Sequence, residues 1–380
     1  MSANPIHAIC RRLRENVRRE LPDQCESVLE VAAASYQDAE QFERELAEIF
    51  RKRPLLVALS CDLPAQGDYT TLALAGHPLL VVRGDDGRVR AFRNACRHRG
   101  ARVASEACGS ARRFVCPYHA WSYDRGGRLV GVPGRESFGD VAAKGLIELP
   151  CEERVGAVFA ALTPGAALEL DAWLGGMQEA LAALRLHELH PYRVPTHIDT
   201  PNWKLAADGY LDGYHIGYLH RATIGAKAIT NCNTYDLFGP HVRIGFANKQ
   251  IAEIDTLPES EWNLPSLMSL VHYVFPNVSL SGGHGDTLML SRLFPGPTVD
   301  RSLTIQHQYY REPVVGDRVR VAEEKRQRYE AVVRDEDAAT IFGIEQALSA
   351  LGDQPILFGR NEPANQRLHE TIAALTRVRG

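Results

Sequence analysis

The segment Cys96-Arg97-His98-Arg99-Gly100, followed seventeen residues after His98 by Cys116-Pro117-Tyr118-His119-Ala120-Trp121, decides how this chain is read. Each half offers one thiolate and one imidazole. A zinc finger normally groups its cysteines first and its histidines later, whereas here the order Cys-x-His comes first and a second Cys and His follow. Two loops of that kind suit a [2Fe-2S] cluster in which one iron takes both thiolates and the other both imidazoles. Neutral imidazoles in place of thiolates reduce the negative charge at such a cluster and raise its potential, so the centre works as a one-electron relay. Cys96, His98, Cys116 and His119 are the candidate ligands. Cys108 lies between the halves without a partner His and reads as structural.

Downstream, residues 202–220 hold a second constellation: Asn202-Trp203-Lys204-Leu205-Ala206-Ala207-Asp208-Gly209-Tyr210-Leu211-Asp212-Gly213-Tyr214-His215-Ile216-Gly217-Tyr218-Leu219-His220. A helix is expected from about Trp203 to Leu219. At about 100° per residue, Asp208 and Asp212 share a face and Asp212 lies within about 60° of His215. His220 is about 140° further round, so both histidines reach one metal only if the helix bulges or ends between them. Gly213 and Gly217 make that break plausible. Two histidines with a carboxylate from elsewhere form a facial triad that leaves open positions on ferrous iron for O2 and substrate.

Outward from these motifs, residues 5–53 read as two amphipathic helices. Residues 55–162 are short β-rich runs punctuated by Asp85-Asp86-Gly87 and Asp124-Arg125-Gly126-Gly127, both hairpin signals. Residues 163–185 return to helical texture, and 191–201 read as an extended connection. Strands are expected at 242–246, 271–275, 288–293 and 303–310, then a long charged helix from about Asp317 to Leu351 and a shorter one from about Glu362 to Val378. Gly282-Gly283-His284-Gly285 lies between expected strands and lacks the strand-to-helix context of a dinucleotide loop. With no nicotinamide or flavin site visible, electrons come from outside the chain.

Composition narrows the function classes. Forty-three Lys plus Arg against forty-seven Asp plus Glu give a net charge of −4, with no basic footprint for nucleic acid. No apolar run approaches the roughly 20 residues that span a bilayer, and the first residues lack the apolar core of a secretory signal. The expectation is no membrane and a cytoplasmic location. Eight cysteines in 380 residues are too sparse for a disulfide scaffold.

These motifs resemble those of the Rieske non-heme iron ring-hydroxylating oxygenases, specifically the catalytic alpha subunit. The family pattern Cys-x-His-Arg-Gly with Cys-Pro-Tyr-His-Gly-Trp is matched at every position but one, where Ala120 stands in place of Gly. The resemblance implies an α+β fold, a Rieske-type β domain inserted in a helix-grip catalytic domain with a central antiparallel sheet. It assigns 1–53 to N-terminal helices packing on the catalytic domain, 54–162 to the Rieske domain and 163–380 to the mononuclear-iron domain. It makes His215 and His220 iron ligands and Asp212 the residue that orients His215 and bridges toward a Rieske histidine. The third ligand is expected from Arg334-Asp335-Glu336-Asp337, with Asp337 preferred over Asp335 and Glu336. Where this chain has Asp208-Gly209 the family often has Glu-Asn, so an amide that commonly faces the iron is absent. Tyr210 is a candidate pocket residue on position alone.

The function implied by the resemblance is that of a terminal oxygenase. It takes O2 as co-substrate and electrons from NAD(P)H only through a separate reductase, directly or by way of a ferredoxin. The expected substrate is small, apolar and aromatic, and the leading expectation is dihydroxylation. A Rieske monooxygenase or demethylase with the same metals is the alternative, and an electron-transfer protein without catalytic iron is the alternative of another class. Relatives commonly form head-to-tail rings of three, with or without a small beta subunit.

Overall fold

The computed structural model describes residues 5–352 and 354–377. The chain forms two compact units, one of residues 46–189 and one combining 1–45 with 190–380. In the smaller unit, the His77–Arg83 and Val89–Arg93 strands pair through the Asp85-Asp86-Gly87 turn within a five-stranded antiparallel sheet. The Asp86 carboxylate accepts from Arg88 N (3.1 Å), and Gly87 takes the positive φ (78°) the tight reversal requires. A second, three-stranded sheet begins with Phe114–Val115 and Ser122–Tyr123, so residues 116–121 are the loop at its tip. Beneath that loop Leu80, Phe92, Phe114, Trp121 and Tyr123 form one core cluster that includes both Cys96 and Cys116.

The division into units falls between residues 45 and 46 and between residues 189 and 190. The helical stretch after 162 stays with the β unit because its side chains anchor there: Arg154 pairs with Asp171, and the Arg53 guanidinium lies 5.8 Å from the Trp173 ring.

The larger unit is built on a seven-stranded antiparallel sheet. In order across it run His190–Thr200, Ser302–Tyr310, Thr287–Pro295, Val278–Gly282, Met268–Val274, His241–Asn248 and Ala228–Phe238. Six of these strands meander in sequence order. Residues 190–200 are the exception and correct the sequence reading: the expected connection is an edge strand, paired with Ser302–Tyr310. The first helix, Pro5–Arg19, places Ile6, Ile9, Cys10 and Leu13 on one face against Ala247, Met268 and Leu270. Gly245 lets it approach, since a Cβ there would sit 3.3 Å from Leu13 and 3.4 Å from Ile9. The opening segment is not helical throughout, because Leu29–Ala32 pairs as a strand with Pro355–Phe358 before the short helix Ala39–Glu45.

A helix spans Trp203–Leu211, started by the Asn202 side chain, which accepts from Lys204 N (2.8 Å). Trp203 and Lys204 are fixed by one carboxylate. Glu45 takes Lys204 Nζ at 2.7 and 2.9 Å and Trp203 Nε1 at 2.8 Å, with Lys204 1% and Glu45 0% exposed. Burial lowers the Lys204 pKa, while Glu45 acts to hold its charge. Removing one partner leaves the other charge uncompensated. Lys204→Met is expected to lower unfolding stability by about 3–5 kcal/mol in urea titrations, and Glu45→Gln combined with it to recover most of that loss.

Candidate metal centres

The two Cys/His loops fold alike. Cys96 N donates to Ala101 O and Gly100 N to Cys96 O, both at 2.8 Å; Cys116 N donates to Trp121 O (2.8 Å) and Ala120 N to Cys116 O (3.0 Å). In each loop the cysteine thus begins a turn closed by the residue four further on. That fourth residue has positive φ in both, 79° at Gly100 and 57° at Ala120. The first loop is braced by Asn94, whose Oδ1 accepts from Val103 N (3.0 Å) and Ala104 N (3.1 Å).

These turns bring the four side chains together. The His98 and His119 rings lie 4.7 Å apart between centroids, and His98 stacks on Trp121 at 5.0 Å and 11°. Both cysteines are buried, and Tyr123 Oη is 3.3 Å from Cys96 Sγ. His98 Nδ1 is buried without a hydrogen-bond partner, an orphan nitrogen that a metal ligand would satisfy. Burial, His119 and Arg99 all lower the His98 pKa, which favours the neutral imidazole that ligation needs. The donor set fits a two-thiolate, two-imidazole iron–sulfur cluster.

The second centre forms where a helix stops. The expected helix to Leu219 ends at Leu211, because Asp212 leaves helical geometry and its Oδ1 accepts from Tyr214 N (2.6 Å) and His215 N (3.3 Å). Gly213 and Gly217 then lie against the Ala228–Phe238 strand, where added Cβ atoms would meet Asn233 at 2.8 Å and Thr230 at 2.7 Å. The other half comes from a long helix, Arg318–Val332 continuing into Ala339–Leu348, interrupted by a wider π turn at Val333–Ala338. That turn carries Glu336 and Asp337, and π turns are frequent at functional sites.

Both imidazoles are gripped at Nδ1 by a carboxylate. His215 Nδ1 lies 3.1 Å from Asp212 Oδ2, and His220 Nδ1 lies 2.6 Å from Glu336 Oε2, which also accepts from Thr223 Oγ1 (2.9 Å). Their Nε2 atoms face Asp337 Oδ1, at 3.6 Å from His215 and 3.0 Å from His220. Among the described residues this is the group of three or more whose ligand atoms converge, all within 4.8 Å of one another. A carboxylate on the distal nitrogen fixes ring orientation and raises ligand basicity, so the set fits a two-histidine, one-carboxylate metal site. Burial acts to lower the His220 pKa, but Asp337 and Glu336 outweigh it and the net direction is upward.

The sequence candidates separate accordingly. Asp212, His215, His220 and Asp337 come together, while Asp335 pairs with Arg334 at the surface. Asp208 turns elsewhere, to Tyr36, His369 and Asn365. Gly209 is closed over by Ile341, whose Cδ1 would be 3.1 Å from an added Cβ. Tyr210 Oη receives Gln306 Nε2 (2.9 Å). Burial and the nearby Asp337 charge push the Tyr210 hydroxyl up to about 12. Glu336 and Thr223 as partners of His220 went unread, since nothing local in sequence marks a residue that meets a histidine 116 positions away.

Comparison with known proteins agrees with this geometry. Residues 185–377 match the profile of the family described as ring hydroxylating alpha subunit (catalytic domain), and residues 53–150 match the Rieske [2Fe-2S] domain. The chain is 35% identical over 189 residues (49% of it, 42% of the relative) to the glycine betaine monooxygenase oxygenase subunit of Chromohalobacter salexigens. It is 35% identical over 186 residues (47% of each) to the 2-aminobenzenesulfonate 2,3-dioxygenase subunit alpha of Alcaligenes sp.. The matched stretch thus spans under half the length of these relatives. In fold, the chain is similar to the quaternary ammonium Rieske monooxygenase CntA in complex with an inhibitor, with a TM-score of 0.80 at 20% identity over 92% of this chain and 96% of that one.

Ala120 holds a left-handed backbone at a cost of about 1–2 kcal/mol, against about 0.5–1 kcal/mol of extra chain entropy for Gly. Ala120→Gly is therefore expected to retain the visible absorption of the cluster and raise the unfolding midpoint slightly, by a net stabilisation of about 1 kcal/mol. Thermal unfolding followed through the cluster absorption checks this.

Proposed function

The chain belongs to the family of Rieske ring-hydroxylating oxygenase alpha subunits, and from that membership and the donor geometry we propose that it is a terminal oxygenase acting as a monooxygenase on a small polar substrate of the quaternary ammonium class. In this reading Cys96, His98, Cys116 and His119 hold the cluster, and His215, His220 and Asp337 hold the iron. When bound, the cluster supplies single electrons and the iron supplies open positions for O2 and substrate. Asp212 and Glu336 keep a proton on each Nδ1, so that both Nε2 lone pairs are free to ligate. Electrons are drawn from a separate reductase, directly or through a ferredoxin.

The observation that carries the metal assignment is the shared orientation of two gripped imidazoles toward one carboxylate. The substrate class rests on the polar wall beside it. Tyr210 meets Gln306 and Ser291, and the Oε1 atoms of Gln306 and Gln308 are buried without partners. A hydrocarbon would leave those acceptors unsatisfied at a cost of about 1–3 kcal/mol each, whereas the oxygen dipoles favour a cation. The relative that is a glycine betaine monooxygenase subunit supports the same class. This reading replaces the apolar aromatic substrate expected from sequence. Aromatic dioxygenation stays as the second reading on the strength of the 2-aminobenzenesulfonate 2,3-dioxygenase relative. A homotrimer and a cytoplasmic location remain part of the proposal; among the described residues no helix is long and apolar enough to cross a membrane.

Hydroxylating an N-methyl group gives an N–CH2OH adduct that collapses to a tertiary amine, a proton and formaldehyde. Purified enzyme with a reductase is expected to release formaldehyde from glycine betaine or carnitine, and an 18O2 experiment to place one labelled atom in that product before exchange. Two labelled atoms in an aromatic product would favour the second reading. His215→Ala is expected to lower iron from three to two atoms per chain, keep the cluster spectrum and abolish turnover; retention of the third iron with turnover would overturn the ligand assignment.

A further inference from the structure

One turn before Asp212, on the Trp203–Leu211 helix, Asp208 belongs to a buried polar cluster with no part in holding either metal group. Its Oδ2 accepts from Tyr36 Oη (2.7 Å), while its Oδ1 lies 2.9 Å from His369 Nε2 and accepts from Asn365 Nδ2 (3.2 Å). His369 Nε2 is also 3.0 Å from Tyr36 Oη. Tyr36 is buried, and its ring centroid lies 5.6 Å from that of His369. His369 in turn lines a cavity of about 700 Å³ together with Gln41, Glu45 and Lys204.

An unbroken line of contacts joins Tyr36 to the iron donors. Tyr36 Oη meets Asp208 at 2.7 Å, Asp212 N donates to Asp208 O at 2.9 Å, and Asp212 Oδ2 lies 3.1 Å from His215 Nδ1. Asp208 and Asp212 are four residues apart, about 6 Å of helix rise, so the path is short as well as continuous. Bonds linked by short hydrogen bonds offer an electron a route. A phenol gives up an electron readily only when a base takes its proton at the same time, and Tyr36 already has a carboxylate at its hydroxyl. Other tyrosines of this unit do not. Tyr210 meets Gln306 and Ser291, Tyr235 meets Asn361 O and Tyr273 meets Pro276 O, none of which takes up a proton. Burial first, and then Asp208, hold the Tyr36 hydroxyl well above the ordinary phenol range, so it keeps its proton until an electron is withdrawn.

We propose that Tyr36 is a redox-active tyrosine that reduces the iron site when O2 has been activated with no substrate to attack. This rests on the oxygenase reading above. The oxidant is the iron centre raised above its ferric state, which gains one electron by way of Asp208, the helix backbone and Asp212. Tyr36 loses that electron. Its O–H bond breaks, an O–H bond forms on the Asp208 carboxylate, and a neutral tyrosyl radical remains. No proton moves along the Asp212–His215 contact. A small one-electron reductant such as ascorbate, entering the cavity beside His369, returns the electron, and Asp208 returns the proton. The excess oxidising power thus ends on a side chain that can be restored, and the iron ligands are spared.

Freeze-quench electron paramagnetic resonance tests the route. Iron-loaded enzyme mixed with hydrogen peroxide in the absence of substrate is expected to give a tyrosyl signal, and Tyr36→Phe, with unchanged iron and cluster content, to lose it. Persistence of the same signal in the variant, or no radical in wild-type enzyme that holds its third iron and turns over, overturns the proposal. In deuterium oxide the wild-type signal is expected to lose a proton coupling, because the radical oxygen sits in the Asp208 hydrogen-bond cluster; a signal insensitive to deuterium overturns it. Asp208→Asn keeps Tyr36 and the side-chain shape but removes the base, and is expected to lower the radical yield several-fold at equal iron content; full yield overturns the proton route. Tyr36→Phe is further expected to keep the initial rate with substrate and to inactivate several-fold faster in peroxide without it, and equal inactivation overturns the protective role. If wild-type protein lacks the third iron or any turnover, the oxygenase reading itself fails and the tyrosine route falls with it.

Discussion

An imidazole has two nitrogens, and two rings can face one point only when something holds the far side of each. Here that duty falls to two carboxylates from different parts of the chain, Asp212 on His215 and Glu336 on His220. Much of the larger unit is shaped by satisfying this constraint. The helix must stop at Leu211 so that Asp212 can serve both the backbone of the next turn and the ring of His215. The glycines after it must be small so that the loop can lie on the sheet, and the long helix must widen where Glu336 and Asp337 sit.

The cluster loops answer a similar demand by other means. Each cysteine is buried, His98 is half-buried and His119 exposed, and one pattern of backbone hydrogen bonds shapes both loops. Trp121 and Tyr123 pack beneath, while Tyr118 at the rim is 58% exposed. The result is an apolar floor on the thiolate side and an imidazole side that opens to solvent at His119. The two units divide the donor sets in the same way, two thiolates with two imidazoles in the smaller and two imidazoles with a carboxylate beside the sheet in the larger.

How much of this was legible in sequence tracks the range of the interactions. The Cys-x-His loops and the Asp-x2-His-x4-His stretch stood out as candidates because their donor side chains lie within a few residues of one another, and the hairpins at Gly87 and Gly127 because turn chemistry is local. The geometric conflict between His215 and His220 on an ideal helix pointed to a break, and the break came at Asp212, well before the expected helix end at Leu219. Residues 191–201 looked like a connection because Pro191 and Pro195 suppress strand signals, yet the edge strand His190–Thr200 tolerates proline where no ladder bond is needed. Glu336 on His220, Glu45 on Lys204 and His369 on Asp208 join residues more than a hundred positions apart, and no local pattern announces them.

The π turn at Val333–Ala338 amounts to one residue too many in an otherwise regular helix. Deleting any one residue there would restore the ordinary winding, leave the flanking turns on their present faces, and draw in the wider turn that carries Asp337. The position of Asp337 is thus written in the length of the segment as much as in its letters. Point substitutions around it can alter the carboxylate's chemistry, but only a change in residue number can move it away from the histidines while leaving a smooth helix behind.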